Sequence, residues 1–251
     1  MPSMWNAATT EVDLFGLSQS RRILEDRIRS YFDIPSTGVV FVFEKKDYRC
    51  YWNRTWRKMA IHLNVKEGSL EEMSPGHLLR LMKSRQYSNL IWLSRQACEA
   101  PEIDFAWILT HELRHLEQDL SSHALSKAGH FLSCVLGVTH MEEPKVQNTI
   151  PTELDANLRA LTVTREVFGT DAVESYVQNE SSMSENQKQD FDVLGSHDTG
   201  EKYDVFGHTA ALLRKYQFQF KEVQKRSEET SIATFDIERV CSELNAGPHS
   251  S

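Results

Sequence analysis

Ile108, Leu109, Leu113, Leu116 and Leu120 recur at helical spacing, so residues 104–121 predict an amphipathic helix with Asp104 as its N-cap. His111 and His115 fall one turn apart on one face of that helix, with Glu112 beside them. Two imidazoles in this relation can grip one cation, provided the helix beneath them is held rigid. The fold must therefore bury the apolar stripe and leave the His111-Glu112-Leu113-Arg114-His115 face open to solvent.

The spacing also names a chemistry. A catalytic zinc takes three protein ligands and keeps one position for water, whose pKa falls to about 7 on the metal. A carboxylate beside that water can accept its proton and pass it to the leaving amine of a cleaved peptide. The pattern is that of a metalloprotease: Zn2+ is the expected cofactor, His111 and His115 are candidate ligands, and Glu112 is the candidate catalytic base.

Composition narrows the setting. The chain has 251 residues, 40% hydrophobic and 25% charged, enough for one globular domain of generous size. No apolar run approaches the ~20 residues of a membrane span, and residues 1–16 show neither a basic cluster nor an apolar leader core, so a cytoplasmic protein is expected. Cys50, Cys98, Cys134 and Cys241 are scattered without a Cys-x-x-Cys pair and read as free thiols rather than metal ligands. The net charge of −8 is uneven. Residues 1–100 carry 15 basic and 11 acidic side chains, and the remainder 13 and 25. An acidic second half suits basic peptide substrates, and solubility explains it equally well.

Along the chain, Ser18 or Ser20 caps a first helix running to about Tyr31, and Pro35 and Gly38 mark a break. Val39–Phe43 reads as a buried strand. Residues 48–56, 59–65 and 89–94 read as further strands, with a short helix at 77–85. Helices are expected at 104–121, 124–136, 152–168, 171–179, 205–226 and 231–244, with loops at 179–189 and 195–200. Strands first and helices afterwards give an α+β arrangement, with a small sheet packed on the metal-bearing helix.

A third ligand is needed. Gln118 and Ser121 stand where the long metzincin motif requires Gly and His, so that form is excluded. In Pro151-Thr152-Glu153-Leu154-Asp155-Ala156-Asn157-Leu158-Arg159-Ala160, Pro151 and Thr152 suit a helix start. Glu153, Ala156, Asn157 and Ala160 share one face, where small residues permit a close approach. With His111, Glu112 and His115, this second element resembles the gluzincin metallopeptidases, most nearly the ImmA/IrrE-type group. The resemblance covers roughly residues 85–168. It implies that Glu153 is the third zinc ligand, that the strand at Leu90–Ser94 is the edge which binds an extended substrate, and that the partner is a protein or peptide. The fold it implies is zincin-like α+β: a small, mostly antiparallel sheet packed on the active-site helix, with a helical C-terminal half. Residues 1–178 would form the metallopeptidase domain and 179–251 a helical extension packed on it.

A rival ligand is His130, fifteen residues after His115 and preceded by Gly129. This is similar to the SprT/Spartan-type DNA-associated proteases, whose third ligand is a histidine. Asp155 is more natural as a group orienting His111 or His115. His197, Tyr203 and His208 are candidates to stabilise an oxyanion, although no spacing rule selects them. His62 alternates with apolar residues and reads as a strand-face residue. His123 and His140 complete no ligand pattern. Residues 45–58 interleave six basic residues with four aromatics, which suits either a nucleic-acid face or a hairpin with aromatics on one side. The acidic chain favours the hairpin. Two further readings share these residues: a regulatory or nucleic-acid-binding protein with a structural metal site, and a hydrolase of non-peptide amides.

Overall fold

The computed structural model describes residues 10–35, 38–45, 48–49, 57–58, 60–64, 87–139, 150–179, 194, 203–227 and 230–247. Expectations for the helix at 77–85, the loops at 179–189 and 195–200, and the residues Cys50, His140 and His197 fall outside these. Packing divides the chain into two compact units, residues 1–117 with 159–173 and residues 118–158 with 174–251.

The first unit is built on a four-stranded sheet of β1 (Thr10–Asp13), β2 (Val39–Phe43), β5 (Ala60–Asn64) and β6 (Asn89–Leu93), in the order β1-β2-β6-β5. A separate pair, β3 (Tyr48–Arg49) and β4 (Arg57–Lys58), is antiparallel, with Tyr48 opposite Lys58 and Arg49 opposite Arg57. The expectation of a mostly antiparallel, zincin-like sheet is corrected here. β1 pairs with β2 and β2 with β6 in parallel, and only β5 runs antiparallel, against β6. The reason lies in burial. Every residue of β2 and β6 is buried, so both faces of these strands are covered, as interior parallel strands require. Helix α1 (Gln19–Arg29) supplies the crossover between parallel β1 and β2. The strand at Leu90–Ser94 is corrected too. It is interior, and β5 is the edge on that side among the described residues.

Ser18 caps α1, its Oγ accepting from Arg21 N at 3.3 Å. Arg22 bonds both Glu11 and Asp13, which ties α1 to the short β1. After β6, Ser94 caps α2 (Arg95–Glu99), and the chain passes Pro101 into α3 (Glu102–Ser121). Asp104 is not the N-cap. It lies inside the first turn with Glu102, where acidic groups suit the helix dipole. Phe105, Leu109, Leu113 and Leu116 of α3 pack with Phe41, Phe43, Ile91 and Leu93 of the sheet, Ile28 of α1, and Val163 and Val167 of α5 (Pro151–Phe168).

The second unit contains α4 (His123–Thr139), α6 (Thr170–Asn179), α7 (Val205–Lys215), α8 (Gln217–Arg226), α9 (Thr230–Ala233) and α10 (Ile237–Ala246), although α6 begins within the first unit. Its core joins Leu125, Phe131 and Leu132 to Leu213, Phe220, Val240 and Leu244. Phe131 stacks on Phe235 at 4.0 Å between ring centres and meets Phe220 edge-on at 5.5 Å.

Candidate metal centre

Burial of the α3 stripe turns His111, Glu112 and His115 to a flank where each is half-buried. The two Nε2 atoms lie 3.0 Å apart, and the rings meet edge to face with centroids 4.6 Å apart. Two imidazoles bound to one tetrahedral zinc at 2.0–2.1 Å place their nitrogens about 3.3 Å apart, so the pair already has close to the required bite. Glu153 rises from the first turn of α5. Ligand atoms of His111, His115 and Glu153 all lie within 4.8 Å of one another, the only such group among the described residues. A His2Glu set suits zinc, and its partial exposure gives water access.

The turn that carries Glu153 is anchored from both sides in sequence. Gln118, 3% exposed, donates from Nε2 to Thr152 O at 2.9 Å and to Asp155 Oδ2 at 2.7 Å. Gly129 of α4 approaches the same turn so closely that a Cβ there would lie 3.0 Å from Thr152 Oγ1. This gives Gly129 a packing role. Ala156 and Ala160, both fully buried, continue the small-residue face of α5, and Asn157 is half-buried beside them. Asp155 thus accepts from Gln118. Removing the clamp by Gln118→Leu leaves the Asp155 carboxylate short of a buried donor. The expected cost is about 2 kcal/mol of stability in urea unfolding. Zinc affinity should fall at least ~10-fold in competition with a chromogenic chelator. Wild-type affinity and stability in this variant would contradict the role.

His130 lies in α4 with its Nε2 3.7 Å from Cys134 Sγ, one turn along the same helix. His123 opens α4. Tyr203 stacks flat on His208 at 4.6 Å, and burial, aided by the charges of Asp155 and Asp204, pushes its phenol up to about 12. His208 is exposed, and its Nδ1 lies 2.7 Å from Asp204 O.

Glu112 does not stand alone. Its Oε2 accepts the backbone N–H of His62, on the edge strand β5, at 2.6 Å. The His62 imidazole is in turn 3.1 Å from Asn89 Oδ1. Spacing selects neither His62 nor Gln118 as a site residue. The one usable signal for His62 is its polarity between Ile61 and Leu63.

Compared with protein-family models, curated proteins and solved structures, the chain matches none.

Proposed function

We propose that this chain is a zinc-dependent metallopeptidase in which His111, His115 and Glu153 hold the ion and Glu112 is the catalytic base. The observation that carries the reading is the convergence of two Nε2 atoms and one carboxylate with a second carboxylate, Glu112, next in sequence to the first ligand. A purely structural zinc has no use for such a base and usually closes its coordination with Cys or His. Zinc, when bound, polarises the scissile carbonyl and makes a coordinated water acidic near neutral pH. Glu112 would accept a proton from the attacking water, whose oxygen forms the new C–O bond, and return it to the amine nitrogen as the C–N bond breaks. No electron donor or further reactant is required.

The substrate of this reading is a protein or peptide in extended form. An added strand needs a sheet edge; among the described residues β5 lies at one and β6 does not.

Metal analysis tests the ligand set directly. The purified wild-type chain is expected to hold about one zinc, as a single three-ligand site requires. Glu153→Ala should lose it, and His130→Ala should keep it. Loss of metal only in the His130 variant would transfer the third-ligand role to His130 and overturn the assignment of Glu153.

A further inference from the structure

His62 bonds through both its backbone and its side chain. Its backbone N–H reaches Glu112 Oε2 at 2.6 Å, so this N–H is one the ladder to β6 does not use. Its side chain lies opposite Ile91 in the antiparallel register and therefore on the sheet face shared with Ile91 and Asn89. Ile91 belongs to the core formed with α3, so His62 points to the side of the sheet where Glu112 stands.

Asn89 gives that imidazole a fixed mooring. It is 4% exposed, and its Nδ2 donates to Ser88 Oγ at 3.3 Å, which turns Oδ1 toward His62. In this arrangement His62 Nε2 carries the shared proton, an assignment made from the surrounding bonds. The backbone N–H groups of Ser88 and Asn89 both donate to Gly38 O at 2.9 Å. Gly38 has φ +80° and no room for a side chain, since a Cβ would lie 2.7 Å from Ser88 Oγ. A continuous chain of bonds thus runs from the start of β2 through Ser88, Asn89 and His62 to Glu112.

We propose that His62 is a positioning residue for the hydrolysis described above: moored to Asn89, it sets edge strand β5 so that its own backbone N–H fixes the Glu112 carboxylate. The inference rests on the peptidase reading for its purpose, but the contact itself is testable without any substrate.

Amide hydrogen exchange by NMR on wild type and Glu112→Ala decides the contact. The His62 amide should exchange at least ~10-fold faster in the variant, because it loses its acceptor at a sheet edge, while amides of interior β6 stay unchanged. Equal exchange at His62 overturns the proposal. The catalytic consequence is read with labelled casein as substrate. His62→Leu should lower kcat about 10-fold at unchanged KM and zinc content, and His62→Gln, which keeps a donor of similar reach, should recover to within ~3-fold of wild type. Full kcat in His62→Leu overturns the positioning role, as does failure of the Gln variant to improve on Leu. Absence of zinc and of casein hydrolysis in wild type itself would instead overturn the peptidase reading, and the role in hydrolysis with it. The exchange result would still report on the His62–Glu112 bond.

Discussion

Glu112→Gln is expected to abolish casein hydrolysis while leaving one zinc per chain. The amide matches the carboxylate in shape, and its oxygen can still accept the His62 N–H, so the strand contact and the fold survive. What is lost is the basic oxygen. A neutral amide cannot take a proton from water, and general base catalysis of this kind contributes about 10²–10⁴-fold to rate. The drop should appear in kcat and kcat/KM alike, because in the proposed reading Glu112 acts in the transition state rather than in binding. His115→Ala provides the contrast. It removes one of the two converging nitrogens, and both metal and activity should go. Metal content beside the kinetics separates the cases. Glu112→Gln with activity within ~10-fold of wild type would remove Glu112 from the mechanism and the peptidase reading with it.

Residues that act through their own helix are visible in the sequence, because the period of a helix fixes which side chains share a face. The stripe from Leu109 to Leu116 and the flanking His111 and His115 follow from spacing alone. The start of α5 is equally legible from Pro151 and Thr152, with Ala156 and Ala160 marking the close-packed face. Strand direction is not legible. Val39–Phe43 is continuous rather than alternating, the mark of a strand covered on both faces, but whether its neighbours run parallel depends on the connections. Strand β1 leaves no mark in the sequence, because Thr10–Asp13 holds a single apolar residue, Val12. It is secured by its ladder to β2 and by Arg22, neither of which has a local pattern. The helix expected over 205–226 is broken at Tyr216, whose φ −109° and ψ 17° leave the helical range without a Gly or Pro to mark the place. His62 and Gln118 owe their roles to partners 50 and 34 residues away, reached only through sheet register and helix packing.

The wild-type chain should lose stability relative to Glu25→Gln as pH rises from 5 to 8. Glu25 lies on α1 at 1% exposure, and burial pushes its carboxyl up to about 7 from an ordinary 4.5. The Arg29 guanidinium, 2.7 Å away and seated over the Phe41 ring at 3.8 Å, pulls the other way but does not prevail, and the charges of Glu11 and Asp26 add to the rise. Arg22, bonded to Glu11 and Asp13, faces the same cluster. The folded chain therefore holds this proton more tightly than the unfolded chain. Its contribution is fully present below pH 4.5, where both states are protonated, and is lost as pH climbs through 7. At 1.36 kcal/mol per pKa unit the difference amounts to about 3 kcal/mol. The amide introduced by Glu25→Gln cannot ionise, so the variant's stability carries no such slope from this site. Urea unfolding of both chains at pH 5, 6, 7 and 8 should give a gap that is small at pH 5 and widens in favour of the variant. A constant gap across the series would mean that Arg29 keeps Glu25 ionised in the folded chain, and that the tie between α1 and β1 is an ion-pair network rather than a buried acid.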